Sequence, residues 1–443
     1  MKAYSAYKAS GLEWLGQIPT HWETTKLKWV VKEKLQYGAN EATELDDQTL
    51  PRYIRITDFG EDGKLKQDTF RSLPYDKAKE YLLNEGDILF ARSGATVGKT
   101  FQFKNYDGIA CFAGYLIKAI PDEQQILSDF LYLFTKSNSY ENWRNSIFIQ
   151  ATIQNIGADK YNLLPIPLPS LLEQRAIAAY LDHKTRLIDT YIAKKQQQVE
   201  RLQAYRAALI NQAVTKGLNP DAPMKASGIE WLGDIPAHWE VKKLKHLGTI
   251  VLGKMLTPED KGGYYKKLYL RAKNILWEKV DVSDVKEMWF SEQELKKYRL
   301  HLHDILISEG GEVGRTGIWR NEIEECYIQN SVHKVTINRG YNPFYFLYLF
   351  LVYGKVGHFD AIVERVSIGH LTREKLTEVF CLVPPPSEQH SIVAYLDEQT
   401  AKIDTLAAAT QRQLERLQAY RTALISDVVT GKLDVRGELM DNQ

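Results

Sequence analysis

The chain has 443 residues, 44% of them hydrophobic and 26% charged, which excludes wholesale disorder and allows two or three domains. Fifty-seven Lys and Arg against fifty-six Asp and Glu leave a net charge of +1, which excludes a histone-like polycation but not nucleic-acid binding through a local basic surface. Cys111, Cys326 and Cys381 are odd in number and sit in no CxxC, so they argue against a disulfide framework or zinc knuckle and for a reducing cytoplasm.

The opening Met1–Ser5 has no apolar stretch of a signal peptide. Lys8 to Lys28 reads KASGLEWLGQIPTHWETTKLK, and Lys225 to Lys245 repeats it as KASGIEWLGDIPAHWEVKKLK. Residues 24–170 then mix alternating and helical stretches. Tyr53–Ile56, Asp87–Ala91 and Gly114–Lys118 are β-branched or aromatic runs bounded by turn residues and are predicted as strands, with a helix near 127–138. Pro167 and Pro169 precede a stretch from about Glu173 to Lys216 with no proline or glycine, closed by Gly217.

The second copy follows the same order. Residues 241–385 offer strands at Leu268–Arg271, Asp304–Ser308 and His333–Ile337. Phe344 to Tyr353 is the most apolar run, and at ten residues it is too short to cross a bilayer. It reads as a buried helix started by Pro343 and ended by Gly354. Pro384, Pro385 and Pro386 precede a second helical stretch. Glu388–Leu433 matches Glu173–Leu218 at nearly the offset that separates the two openings. A period of almost half the chain is a duplicated domain with an appended helix, not a solenoid repeat. The ends of the copies match closely and the middles diverge, as one shared partner and two different ligands would require.

Apolar residues of the first helix fall at Ile177, Leu181, Ile188, Ile192, Val199, Leu202 and Leu209. Those of the second fall at Ile392, Leu396, Ile403, Ala407, Leu414, Leu417 and Leu424. Steps of three, four and seven predict a helical stripe close to a coiled-coil seam. A stripe of ~50 Å needs a mate, so the two helices are expected to pack as an antiparallel pair; the alternative is that each packs only on its own domain. The fold class is α+β: two similar mixed domains separated by two long helices, with an internal pseudo-two-fold repeat. The expected divisions are a first domain at 1–170, a first spacer helix at 171–218, a second domain at 219–385, and a second helix with a C-terminal tail at 386–443.

Two enzyme-like signals are weak. Ser93 to Thr100 approaches a Walker A loop, but serine stands at 93 where glycine is needed, and the second copy has Arg315 in place of the lysine. A glycine turn between strands is the better reading. Asn342-Pro343-Phe344-Tyr345 lacks the second proline of an amino-methyltransferase loop and reads as a helix start. The ten histidines show no metal-ligand spacing. His21 and His238, in the repeated opening, read as structural.

The chain resembles the specificity subunit of type I restriction–modification systems. The resemblance rests on LPIPLPSLLEQRAIAAYLD at 164–182 with CLVPPPSEQHSIVAYLD at 381–397, on GDILFARSGATVGKT at 86–100 with HDILISEGGEVGRTG at 303–317, and on the opening of both copies. It implies a non-catalytic subunit with two target-recognition domains, each reading half of a bipartite double-stranded DNA site. It further implies spacer helices that dock two modification subunits, joined by a restriction and translocase subunit. No cofactor is implied for this chain; S-adenosylmethionine for adenine methylation, ATP and Mg belong to the partners. No membrane is implied.

Base edges are read by Arg, Lys, Asn, Gln, Ser and Thr, and by carboxylates at cytosine. In the first copy the candidates are Arg55, then Arg92, Ser93, Thr96 and Lys99 in or beside the glycine-rich loop, then Gln150, Thr152, Gln154 and Asn155. In the second they are Arg271 and Lys273, then Glu309, Glu312 and Arg315 in the matching loop, then Arg365, Ser367 and His370. Acids in one loop and none in the other suit different base readout. The first long helix also carries eight Lys and Arg against four Asp and Glu, a face for phosphates or for solvent. Two other readings remain: an enzyme whose methyltransferase or P-loop motifs have drifted, and a coiled-coil assembly factor that binds protein only.

Overall fold

The computed structural model describes residues 2–438 apart from 43–44, 61–62, 95, 149–154 and 360–369. Its contacts separate two compact units, residues 1–196 with 411–443 (unit 1) and residues 197–410 (unit 2).

Unit 1 opens on an antiparallel hairpin of β1 (Tyr7–Ala9) and β2 (Gln17–Pro19). Its further strands are β3 (Glu23–Lys26), β4 (Gln36–Tyr37), β5 (Arg52–Ile54), β6 (Ile88–Ala91), β7 (Thr100–Gln102), β8 (Ala110–Phe112), β9 (Leu116–Ala119) and β10 (Pro165–Leu168). The helices α1 (Ser128–Phe134) and α2 (Asn138–Phe148) and a single turn at Ala158–Tyr161 lie between β9 and β10. The central sheet has the order β4-β9-β6-β7; β5 and β8 pair in parallel, and β3 pairs with β10. The period of two along β6 feeds two cores. Ile88 and Phe90 pack in the cluster that holds Trp22, Leu131 and Leu181, whereas Leu89 and Ala91 pack with Phe59, Phe101 and Phe112.

The long helix α3 (Leu171–Lys216) comes next; its residues to Gln196 belong to unit 1 and the rest to unit 2. The strands of unit 2 are β11 (Met224–Ala226), β12 (Asp234–Pro236), β13 (Glu240–Lys243), β14 (Gly248–Leu252), β15 (Tyr265–Leu270), β16 (Lys286–Phe290), β17 (Ile305–Ser308), β18 (Thr316–Ile318), β19 (Tyr327–Ile328), β20 (Val332–Ile337) and β21 (Phe380–Val383). Its helices include α4 (Pro343–Lys355) and the start of α5 (Pro386–Val429). The topology repeats that of unit 1: hairpin β11-β12, sheet β14-β20-β17-β18, parallel pair β15-β19 and closing pair β13-β21, with β16 added beside β15. The diverged middles therefore share one design. Asn342 caps α4, its side chain accepting from the Phe344 amide at 3.0 Å, with Pro343 in the first turn, and Tyr345 to Tyr353 are all buried.

All six expected strands form, with shifted ends; Leu268–Arg271, for example, is strand at Tyr265–Leu270. The run at Tyr53–Ile56 is strand only at Arg52–Ile54, because Arg55 leaves the ladder to start a 3-10 turn at Ile56–Asp58. Gly114 and Tyr115 form a turn, so that strand begins at Leu116.

The helical stripes pair. Within unit 1, Ile177, Leu181 and Ile188 of α3 share a core with Leu424, Ile425 and Val428 of α5, and Arg421 meets Asp189 at 2.7 Å. Within unit 2, Ile210 and Val214 of α3 share a core with Ile392 and Leu396 of α5, and Arg206 meets Asp404 at 2.9 Å. The early part of each helix meets the late part of the other, so the pair is antiparallel. Along the stripe, Ile403, Leu414 and Leu424 are buried and Ile192, Val199, Leu202, Leu209 and Leu417 are half-buried. The helix ends also pack on their own domains, so the two expectations for the stripe combine.

Each long helix starts in a joint made by adjacent Glu and Gln. Buried Glu173 accepts from Tyr4 Oη at 2.7 Å and lies 3.1 Å from His21 Nε2. Gln174 accepts from the Leu127 amide at the start of α1 at 2.8 Å and donates to the Gln125 and Pro169 carbonyls. In unit 2, Glu388 accepts from Trp239 Nε1 at 3.1 Å and meets His238 at 2.7 Å. Gln389 accepts from the Asn342 amide at 2.9 Å and donates to the Pro384 carbonyl. The opening segments thus tie to the helix starts. The helix ends close against them as well: Gly431, with φ +74°, lies so near Pro19 that a Cβ there would run into its ring. Gln389→Ala would leave the buried Asn342 amide unpaired and is expected to cost about 1–3 kcal/mol. Thermal melting and amide exchange at Asn342 check this; parental values for both would refute the joint's contribution.

Candidate nucleic-acid interface

The glycine-rich stretch after β6 is a turn between the antiparallel strands β6 and β7, and no helix follows it, so it is not a P-loop. Gly98 adopts φ +82°, and its amide donates to the Ala91 carbonyl at 2.8 Å. Helix α2 braces the turn, with Tyr140 Oη donating to the Gly98 carbonyl at 2.9 Å. Arg92 lies 4.8 Å from the Tyr37 ring centroid, and Thr96 is exposed. Ser93 forms a β-bridge with exposed Asn155, and the Ile156 amide donates to the Arg92 carbonyl at 2.8 Å. The fold therefore brings the loop and the end of the polar cluster together; Gln150, Thr152 and Gln154 lie outside the described residues.

The second copy builds the same juxtaposition. The turn between β17 and β18 carries Glu309, Glu312 and Arg315, and the Leu371 amide donates to the Glu309 carbonyl at 2.9 Å, which sets His370 beside Gly310. Arg365 and Ser367 lie outside the described residues. Burial raises the Glu309 carboxyl above its ordinary value. Glu312 pairs with Arg315 at 3.2 Å and accepts from Trp277 Nε1 at 2.8 Å, while Arg315 Nη2 donates to the Ala272 carbonyl. The loop chemistry of the copies thus differs: a hydroxyl and a lysine in one, two carboxylates and an arginine in the other.

Arg55 and Arg271 stand just past strands β5 and β15. Arg55 pairs with Asp58 at 3.2 Å and donates to the Thr69 carbonyl at 2.7 Å; Arg271 donates to the Asp284 carbonyl at 2.8 Å. Both guanidiniums tie down a loop of their own domain. Lys273 is exposed and pairs with Asp284 at 2.8 Å.

Unit 1 also carries a cleft of about 1020 Å³ between the domain and the helices, adjoining the loop at Lys99. Three of its acids are matched one to one: Asp129 by Lys104, Asp182 by Arg186 and Asp189 by Arg421. Lys99, Lys136 and Arg175 line it without an ion pair among the described residues, which leaves a positive excess. Lys136 donates to the Thr100 carbonyl at 2.8 Å, and burial, with Lys99 and Arg421 near, pushes its ammonium down to about 7. Sequence reading missed Lys136, since only the fold places it beside Thr100, and missed Trp277, which no spacing rule connects with Glu312. The Gln174 and Gln389 contacts had a signal: both lie in the matched segments.

A lysine that titrates lower in the folded than in the unfolded chain binds fewer protons when folded, so stability rises with pH from about 7 towards the unfolded value near 10. Lys136→Met is therefore expected to melt above the parent by the widest margin at pH 6.5 and by a shrinking margin towards about pH 9.5. Melting across that range checks it, and a margin constant with pH would refute it.

Among the described residues no group of His, Cys, Asp or Glu could hold a metal ion, and no helix is long and apolar enough to cross a membrane. Cys111, Cys326 and Cys381 are buried free thiols, and burial raises Cys111 and Cys326 to about 12.

A duplicated mixed domain, closed by a strand pair and tied to an antiparallel helix pair, with a glycine turn of different side chains at the same place in each copy, defines a recognition protein built from two like domains. The type I restriction modification DNA specificity domain matches the chain twice, at residues 19–201 and 236–416, and the chain belongs to that family. It is 25% identical over 437 residues to the type I restriction enzyme EcoKI specificity subunit of Escherichia coli (strain K12), covering 94% of this chain and 90% of the relative. It is likewise 25% identical over 439 residues to the MjaVIII specificity subunit of Methanocaldococcus jannaschii, covering 95% of each. Among solved structures, a chain from work on complex assembly and conformational transition of the type I R-M system superposes with a TM-score of 0.72 at 16% identity. That match covers 94% of this chain and 99% of the other. The HsdS subunit from Thermoanaerobacter tengcongensis matches with a TM-score of 0.53 at 17% identity, covering 94% and 98%. These structures share the fold.

Proposed function

We propose that this chain is the non-catalytic, DNA-reading subunit of a type I restriction–modification complex, and that each unit recognises one half of a bipartite duplex target. One observation carries the reading: the same turn, on the same topology, presents Thr96 and Lys99 in one copy and Glu309, Glu312 and Arg315 in the other. Protein segments 1–170 and 219–385 are the reading domains, and 171–218 and 386–443 hold the spacer helices and tail. Residues Arg92, Ser93, Thr96, Lys99 and Asn155 face the first half-site, and Glu309, Glu312, Arg315 and His370 the second. The cleft with its excess of positive charge beside Lys99 supports phosphate contact there. Gln150, Thr152, Gln154, Arg365 and Ser367 are further candidates for base contact by residue type. Arg55 and Arg271 shape them from behind rather than reading bases, since their guanidiniums are engaged within the domain.

Half-sites on one face of B-DNA recur every ~34–36 Å. One residue added to a helix moves everything beyond it by ~1.5 Å and turns it by ~100°, so helices of this kind suit the task of fixing a spacing. The repeated openings and helix starts supply two like surfaces for two copies of one modification subunit. A restriction and translocase subunit completes the complex; S-adenosylmethionine, ATP and Mg are held by those partners, and the complex works in the cytoplasm.

The experiment is binding of duplexes by the chain with its modification partner. Affinity for a split site is expected to fall steeply with salt. Lys99→Ala should weaken all sequences alike and lower the salt slope by about one. Glu312→Gln should relax one base of the second half-site by about 5- to 150-fold and leave the first half-site alone. Equal binding of every duplex by the parent complex at moderate salt would refute the function, and S-adenosylmethionine or ATP binding by the isolated chain would favour an enzyme.

A further inference from the structure

In unit 2 a short loop joins the helix pair to the base-reading turn. It runs through Leu276, Trp277 and Glu278 to Val280 and is closed by a β-bridge between Ile275 and Val280. At one end, Glu278 receives both terminal nitrogens of Arg206 on α3, at 2.6 and 2.7 Å, and Arg206 in turn pairs with Asp404 on α5. The bidentate fork fixes direction as well as distance. At the other end, Trp277 Nε1 donates to Glu312 at 2.8 Å, within the turn.

The loop itself is tightly held. Glu278 adopts φ +71°, a conformation a glutamate takes only where its surroundings impose it. Its amide donates to the Thr316 carbonyl at 2.8 Å, so the loop is also stitched to β18, which follows the turn. The Trp277 indole lies flush on α4, where a Cβ on Gly354 would run into its ring, and the Lys355 ammonium stands 4.5 Å from its centroid. Three elements thus fix the indole, and its single N–H donor points at one oxygen of Glu312. The other oxygen takes Arg315. A carboxylate held at both oxygens has a set orientation, and it presents its remaining lone pairs outward from an exposed site.

Unit 1 braces its turn by a different route, through Tyr140 and Arg144 of α2 at Gly98. The effect of Trp277 should therefore be confined to the second half-site.

We infer that Trp277 is a specificity-determining positioning residue: anchored to the helix pair through Glu278 and Arg206, it orients Glu312 for base discrimination in the second half-site. This rests on the reading of the Glu309–Arg315 turn as a base-contacting loop. The test uses the chain bound to its modification partner, with labelled duplexes varied base by base in each half of the target. Trp277→Phe removes the N–H donor and keeps an aromatic ring, although a smaller one that gives up part of the contact at Gly354. It is expected to lower discrimination at the base governed by Glu312 by about 5- to 20-fold, with no change in the first half-site and a modest drop in melting temperature. In a Glu312→Gln background the same substitution should add nothing, because it acts through that carboxylate. Glu278→Gln, which weakens the anchor and keeps the indole, should give a smaller loss at the same base. If Glu312→Gln itself changes no base preference, the reading of the turn fails. If Glu312→Gln changes it and Trp277→Phe does not, or if the two effects add independently, the positioning role is overturned.

Discussion

The structure depends on a glutamate–glutamine pair at the first turn of each long helix, buried except for the half-buried Glu388. Glu173 and Gln174 are almost wholly buried, as is Gln389, and each hydrogen bond they make has a fixed direction. An apolar contact would let a domain rock on its helix at small cost. A buried amide or carboxylate does not, because a tilt that breaks one bond leaves a desolvated group without a partner. The glutamate faces the opening segment and the glutamine faces the helix inside the domain, so two different parts of each domain are referred to one turn of helix. Gly217 and Gly431 then let the returning chain close against the same opening segments. Sheet and turn inherit their orientation from this joint.

That dependence explains why the ends of the copies read alike and the middles do not. A directional network accepts few substitutions: at position 174 or 389 only an amide offers an acceptor to one backbone amide and donors to a carbonyl. The sheet cores accept any apolar set of the right volume. Thus Ile88, Leu89 and Phe90 in β6 become Ile305, Leu306 and Ile307 in β17 without a change of topology. Solvent-facing turn residues answer to neither constraint and are left to follow the ligand.

The long helices, their stripes, the apolar helix at Pro343 and the glycine turns were legible in the sequence because each is set by local periodicity or by proline and glycine chemistry. Strand ends were legible only to within about three residues, since leaving the ladder at Arg55, for example, depends on Asp58 and Thr69 folding back. The arginines show the main ambiguity. A guanidinium that suits a phosphate or a guanine suits a carbonyl and an aspartate equally well, so Arg55 and Arg271 could be matched to each other by sequence but not assigned a partner. Trp277 and Lys136 were invisible for a different reason: their roles arise from residues 35 and 36 positions away that share no pattern with them.

The two arginine–aspartate contacts between the long helices bear on how such a protein keeps one length. The interval from Asp189 to Arg206 on α3 equals that from Asp404 to Arg421 on α5, so one antiparallel register satisfies both pairs. Exposed ion pairs contribute little to stability, on the order of 0–1 kcal/mol each. Their use lies in what they forbid. The half-buried stretch around Val199 and Leu202 gives a weakly specified apolar seam, and Leu, Ile and Val along it would tolerate a shift of one heptad. Such a shift would part both charge pairs together and would also pull Glu278 from Arg206. Register is thus written in charge where hydrophobic packing alone would leave it open, and the same arginine that sets the register anchors the loop at Glu278 behind the turn between β17 and β18.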